Sequence, residues 1–195
     1  MAMETSMLQY TMALLEHEYE AELAQLGVQL PDTRQIPQVR FDVAKQRVAE
    51  KYNRRIKDPY DLEPEEERLI GDLYREETGS DFVFVTHYPS KKRPFYAMDD
   101  PEDPRFTLSF DLLFRGLEIT TGGQRIHDYE TQVAKIVARG MNPDDFATYL
   151  MIHKYGMPPH GGLGIGLERL LMMLIGENNV RNTVLFPRDL NRLDP

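Results

Sequence analysis

Two short segments of this chain hold the residue types that chemistry on a charged substrate needs. The first, Phe114-Arg115-Gly116-Leu117-Glu118-Ile119-Thr120-Thr121-Gly122-Gly123-Gln124-Arg125, puts a carboxylate, two hydroxyls and an arginine on one strand and turn. Strand alternation predicts that Glu118 and Thr120 share a face, with Thr121 on the opposite one. A carboxylate beside a hydroxyl can hold a hard cation that carries phosphates, and a guanidinium can clasp a carboxylate in a two-pronged fork. A salt-bridged edge strand is the competing reading of the same residues. The second segment, Gly161-Gly162-Leu163-Gly164-Ile165-Gly166-Leu167-Glu168-Arg169-Leu170-Leu171, is a glycine-rich strand or loop running into a helix with an arginine in its first turn. Glycines let a ligand approach the backbone, so a nucleotide site is open here beside plain helix entry with a Glu-Arg surface pair. No Gly-Lys-Ser/Thr follows, which excludes a Walker A loop, and no parallel βαβ pattern supports a dinucleotide fold.

The elements that must position these residues follow from periodicity. Leu8, Met12, Leu15, Tyr19 and Leu23 recur at helical spacing and predict one long amphipathic helix over Met3 to Leu26, stopped by Gly27 and Pro31. Ile36 to Phe41 reads as extended chain entering a helix capped by Asp42 and ending near Tyr52. A charged connection leads to Glu63-Pro64-Glu65-Glu66-Glu67, a helix start with acids at its positive end, and Gly79 closes that helix. Phe82 to Thr86, Pro94 to Met98 and Thr107 to Phe114 read as neighbouring antiparallel strands. Asp99 to Arg105 is an acidic, Pro-rich solvated loop, and Lys91-Lys92-Arg93 a solvated basic turn. Helices follow at Tyr129 to Ala138, Pro143 to Lys154 and Gly166 to Ile175, and a last strand at Asn182 to Phe186. His87, His127, His153 and His160 lack metal-ligand spacing and read as structural; Met172 and Met173 read as core.

Composition narrows the function classes. With 195 residues, 41% of them hydrophobic, the chain suits one globular domain, 1–195. No run approaches the ~20 apolar residues of a membrane span, and the acidic start is unlike a signal peptide, so a cytoplasmic location is expected. There are no cysteines, which excludes disulfides and thiolate metal sites and leaves oxygen or imidazole ligands. A net charge of −9 argues against this piece being the main anchor for nucleic acid.

Both chemical segments resemble class II aminoacyl-tRNA synthetases of the archaeal and eukaryotic aspartyl type and their asparaginyl relatives. Gly162 to Arg169 resembles the third signature motif of that class, and Asn179-Val180-Arg181 through Leu185-Phe186-Pro187-Arg188-Asp189 its closing segment. Asp81 to Pro89, Arg93-Pro94-Phe95-Tyr96 and Tyr155 to His160 are similar to family blocks in the same order. The likeness is specific over 61–195 and weaker over the N-terminal helices of 1–60. It implies an α+β fold, a mostly antiparallel sheet flanked by helices, as part of the class II catalytic fold. It further implies ATP and Mg2+ as cofactors, with aspartate or asparagine as substrate and aspartate favoured. By the same resemblance Arg169 would lie against the adenine and act in catalysis with Glu118. Gly166, Leu167 and Glu168 would line the nucleotide pocket, Glu118 and Thr121 would hold magnesium, and Arg125 would pair with the substrate side-chain carboxylate. The reaction implied is attack of the amino-acid carboxylate on the α-phosphorus of ATP, releasing pyrophosphate, and then transfer to tRNA.

The family's first and second signature motifs and its anticodon-binding barrel are not found in this sequence. The expectation is therefore a C-terminal part of the catalytic domain with weak or absent tRNA binding. An open sheet edge would be capped by homodimerisation or by the N-terminal helix. An asparagine synthetase relative on the same fold, and a non-catalytic interaction module, are the alternatives.

Overall fold

The computed structural model describes residues 1–188 and 190–192. In chain order the elements are α1 (Ala2–Glu18), α2 (Glu20–Leu26), β1 (Gln38–Arg40), α3 (Phe41–Lys51), α4 (Pro64–Thr78), β2 (Phe82–Thr86), β3 (Ser109–Phe114), β4 (Leu117–Arg125), α5 (Tyr129–Ala138), α6 (Ala147–Lys154), β5 (His160–Ile165) and α7 (Leu167–Ile175). One five-stranded sheet runs β1-β2-β3-β4-β5. Every neighbouring pair is antiparallel except β1 with β2, which is parallel. A parallel pair needs a crossover, and α3 and α4 supply it. The expected α+β architecture with a mostly antiparallel sheet is therefore what the chain adopts.

Strand alternation sorts the core into two layers. On one face, Val83, Val85 and Leu113 pack with Ala44 and Val48 of α3 and Leu69, Ile70 and Leu73 of α4. On the other, Phe82, Phe84, Leu112, Phe114 and Ile119 pack with Leu8 and Met12 of α1 and Leu170 and Leu174 of α7. Because β2 is buried on both faces it is apolar throughout, apart from Thr86. A capping box between Glu63 and Glu66 starts α4, and Gly79 ends it in the left-handed conformation. The Glu66 carboxylate also pairs with the buried Lys45 ammonium at 2.7 Å, which ties α4 to α3.

Several expectations are corrected. The N-terminal helix breaks at Tyr19, which is 47% exposed, so the stripe does not bury one continuous face. Asp42 lies inside the first turn of α3, while Arg40 occupies the cap, two residues earlier than expected, and Phe41 is buried. Pro94 to Met98 forms no strand between β2 and β3, which pair directly. That segment instead bonds to the ends of β3 and β4, through Met98 N–H to the Gln124 carbonyl, Leu108 N–H to the Met98 carbonyl and Ile126 N–H to the Tyr96 carbonyl. Asn182 to Phe186 is no strand either. The Asn179 side chain accepts from Arg181 N–H and starts a 3-10 turn, Val180–Thr183. The basic trio Lys91-Lys92-Arg93 is split, with Arg93 turned inward against Asp111 at 2.7 Å. α1 packs its core residues on the sheet face and does not add to the ladder, so β5 is an outer strand.

Helix α4 meets the β3–β4 turn with almost no separation. A Cβ on Gly71 would come within 2.5 Å of Gly116 N, and Gly116 itself has φ +79° with Arg68 Cα in the way of any side chain. Gly71→Ala is expected to destabilise by about 1–3 kcal/mol, the usual cost of overpacking a close contact. Thermal unfolding should report a fall of roughly 2–12 °C on the scale of ~2–4 °C per kcal/mol for a domain of this size. Lys45→Met should cost about 3–5 kcal/mol by leaving Glu66 charged and buried, and Lys45→Met with Glu66→Leu should recover most of it; equal denaturant midpoints for the single and double variants would contradict this.

Candidate active site

The part of the sheet face not covered by α3 and α4 holds a cleft of about 330 Å³, lined among others by Arg93, Tyr96, Ser109, Thr121, Arg125 and Gly164. Its floor is β3, β4 and β5, and its wall, the irregular stretch around Arg93 to Ala97, is held by one face of α5. Gln132 Nε2 donates to the Phe95 carbonyl at 3.0 Å and Lys135 Nζ to the Ala97 carbonyl at 3.1 Å. Lys135 also pairs with Asp99, and Arg139 with the Ser90 carbonyl. Helical spacing places these three side chains on one stripe, so a single element fixes the whole wall.

The floor is shaped by a β-bulge. Leu113 pairs with Glu118 but Leu112 pairs with Thr120, so Ile119 is an extra residue in β4. From Thr120 onward the strand's faces are exchanged relative to simple alternation. Glu118 and Thr121 therefore point the same way, and Thr121 Oγ1 donates to Glu118 Oε1 at 3.0 Å. Thr120 is buried on the other face. This reverses the expected pairing of Glu118 with Thr120; a bulge leaves no mark in residue types that alternation alone would detect.

Three acids converge at this end. Burial raises the Glu118 carboxyl above its ordinary value, with the Asp111 charge adding to the rise and the Thr121 hydrogen bond and Arg169 opposing it. Burial pushes Glu67 of α4 up to about 7, against the effect of the hydrogen bond it accepts from Glu118 N–H and with help from the Glu118 and Asp111 charges. Asp111 stands opposite Thr121 in the ladder. Arg93 lies 2.7 Å from Asp111 and over the Tyr88 ring at 3.8 Å. Their close atoms are off-axis for a hydrogen bond, however, so Arg93 Nη2 and Asp111 Oδ1 remain buried without such a partner. Carboxylates crowded in this way favour a cation between or beside them. Among the described residues, no group of three or more His, Asp or Glu side chains is arranged to hold a metal unaided.

Arg169 leans from the start of α7 over the bulge. Its Nη1 donates to the Glu118 carbonyl at 2.9 Å and lies 3.7 Å from Glu118 Oε1, while half of the side chain stays exposed. Arg125 sits at the other end of the cleft between Tyr96, whose ring centre is 5.0 Å from its guanidinium carbon, and Gly162, where a Cβ would touch Nη2 at 3.2 Å. A Cβ on Gly164, opposite Thr121, would meet nothing within 4 Å, so the floor there is open for a ligand. The structure thus brings Glu118, Thr121 and Arg169 together, and Arg125 lines the same cleft as Thr121. Gly166 caps α7 beside Arg169. Leu167 and Glu168 are exposed along a different, apolar groove with Met12, Leu15, Leu185 and Phe186.

Asp111, Glu67 and Arg93 were missed as site residues. A lone acid inside Ser109-Phe110-Asp111-Leu112-Leu113-Phe114 is a usable signal, because an apolar strand tolerates one only with a partner. Glu67 is hidden among the four acids at the start of α4.

The pattern of the family described as tRNA synthetases class II (D, K and N) matches residues 1–190. The chain is 46% identical over 201 aligned positions to an aspartate--tRNA(Asp/Asn) ligase of Deinococcus radiodurans, covering 100% of this chain and 46% of that protein. It is 56% identical over 135 positions to the enzyme of the same name from Thermus thermophilus, covering 69% of this chain and 32% of that one. Among solved structures, asparaginyl-tRNA synthetase from Pyrococcus horikoshii complexed with asparaginyl-adenylate superposes with a TM-score of 0.82 at 32% identity, over 98% of this chain and 43% of that one. Aspartyl tRNA synthetase from Entamoeba histolytica gives a TM-score of 0.78 at 36% identity, over 83% and 33%. The chain spans less than half the length of these relatives. It belongs to the class II tRNA synthetases of the aspartate, lysine and asparagine group.

Proposed function

We propose that this chain carries the magnesium-nucleotide and amino-acid side-chain half of an aspartate-tRNA ligase site. The observation that carries the reading is the cleft's polarity. Thr121, which lines one end, donates to the Glu118 carboxylate and stands opposite Asp111 in the ladder, and the Arg125 guanidinium lies at the other end. Hard oxygen donors of this kind suit magnesium, which binds through one or two carboxylates and completes its shell with water and phosphate oxygens. When bound there, the ion would neutralise charge on the nucleotide's phosphates.

The protein's own groups do the positioning. Glu118 and Thr121 offer oxygens on one face. Arg169, already committed to the Glu118 carbonyl, keeps an exposed planar surface on which an adenine can stack. Arg125, held flat between Tyr96 and Gly162, is preorganised to take a carboxylate in a two-pronged hydrogen bond. Aspartate satisfies both prongs with charge; asparagine offers one acceptor and a donor that faces another donor. Two curated relatives are named for aspartate on tRNA(Asp/Asn), which favours the same amino acid. For the protein to which this chain belongs, the proposal extends to activation of aspartate with ATP, transfer to tRNA, a homodimeric assembly and a cytoplasmic location. Displacement at phosphorus needs little covalent help, so alignment and charge compensation supply most of the catalysis.

Calorimetric titration with magnesium-ATP and then with aspartate and asparagine tests the reading. Saturable magnesium-ATP binding that Arg169→Ala weakens is expected, followed by aspartate binding tighter than asparagine. Arg125→Ala should weaken aspartate by about 1.5–3 kcal/mol, roughly ten- to a hundredfold, and Arg125→Lys should recover only part of it. Equal binding of both amino acids by wild type and Arg125→Ala would reject the assignment of this end of the cleft.

A further inference from the structure

The bulge that turns Glu118 and Thr121 to one face has to be held, because an extra residue interrupts the hydrogen-bond ladder. Its peptide groups are taken up by three outside partners. Glu118 N–H donates to Glu67 Oε2 at 3.2 Å, the Glu118 carbonyl accepts from Arg169 Nη1 at 2.9 Å, and the Ile119 carbonyl accepts from Gly166 N–H at 2.8 Å. Two of these partners belong to the start of α7. The third, Glu67, comes from α4 on the site's own face of the sheet.

α4 is placed to deliver that carboxylate. Glu67 and Gly71 are four residues apart and so lie on one stripe of the helix. Gly71 rests on Gly116 with no room for a side chain, and Glu67, one turn earlier, meets Glu118, two residues further along the chain. The neighbouring charged residues of α4 are engaged elsewhere: Glu66 with Lys45, and Arg68 with Glu65 and Asp72. An ionised or neutral carboxyl in this place accepts a hydrogen bond with its free oxygen, whereas an apolar side chain would leave Glu118 N–H unpaired beside the cleft.

We infer that Glu67 is a positioning residue, which fixes the Ile119 bulge through Glu118 N–H and so sets the shared orientation of Glu118 and Thr121 toward magnesium. The inference rests on the nucleotide-site reading above and assigns Glu67 no direct contact with the ion.

The test compares wild type, Glu67→Gln and Glu67→Ala, with folding checked by thermal unfolding. Two readouts are used: hydrogen exchange at the Glu118 amide by NMR, and calorimetric binding of ATP with and without magnesium. Glu67→Ala should speed Glu118 amide exchange and weaken magnesium-ATP binding, each by about tenfold, the loss of roughly one buried hydrogen bond, while magnesium-free ATP binding stays within about twofold. Glu67→Gln keeps an acceptor oxygen and should restore both readouts. If Glu67→Ala does not fold, Glu67→Leu fills the space without an acceptor and takes its place. Unchanged magnesium dependence in the acceptor-less variant, or a Gln variant as impaired as the Ala variant, would overturn the inference while wild type still binds. Wild type that binds no magnesium-ATP would instead remove the functional reading itself, and the inference with it.

Discussion

A single extra residue in one strand sets the geometry of the cleft. Without Ile119 in excess, β3 and β4 would pair at constant register, Thr121 would face α1 and the aromatic layer, and Thr120 would join Glu118. With it, three oxygen-bearing side chains, Glu118, Thr121 and Asp111, look out of one face, and the buried Thr120 on the other face meets the buried Glu4 carboxyl of α1. The cost is a broken ladder, offset by hydrogen bonds from α4 and α7, so two helices on opposite faces of the sheet become part of the site's definition. A bulge is a common device for re-aiming a side chain beside an active site.

The rest of the fold serves this constraint. α3 and α4 cross over from β1 to β2 and cover only part of the face, which leaves β3 to β5 open as a floor. Glycines keep that floor low: Gly162 lets Arg125 lie flat, and Gly164 leaves space opposite Thr121. α5 grips the wall through Gln132, Lys135 and Arg139, which keeps Tyr96 against Arg125. The opposite face is a mainly hydrophobic layer, with Glu4 and Thr120 as a buried polar pair, in which Phe82 and Phe114 stack at 4.3 Å and α1 and α7 close over them. Stability is thus concentrated on one face and under α4, and polarity on the exposed half of the other.

Where sequence patterns carried strong local chemistry, they were readable. The acidic, proline-bearing start of α4, its stop at Gly79, the strand Phe82–Thr86 and the helix Tyr129–Ala138 all follow from short-range rules. The failures have physical causes. Pro94 to Met98 has strand-like residues, but its backbone groups are claimed by the ends of β3 and β4. Asn182 to Phe186 is apolar enough for a strand, yet an Asn179 side chain turns the backbone first. Within the site, Glu118, Thr121, Arg125 and Arg169 were legible as chemistry-bearing types, but their relative orientation was not, because the bulge depends on contacts made 51 positions away in the chain by Glu67 and by Arg169. Asp111 carries a signal of its own, a lone acid in an apolar strand, but its partner Arg93 sits in a basic turn that reads as solvated, so the pair is not legible from the sequence.

The most direct test of the central claim, that one face of the bulged strand holds the metal-nucleotide complex, is paramagnetic broadening of amide signals by manganese added with ATP to the labelled chain. The account predicts that Asp111, Glu118, Thr121 and Gly164 broaden first and together, while Leu8 and Met12, beneath the opposite face, stay sharp. Broadening centred on Thr120 and the α1 side, or spread evenly over surface acids, would contradict it.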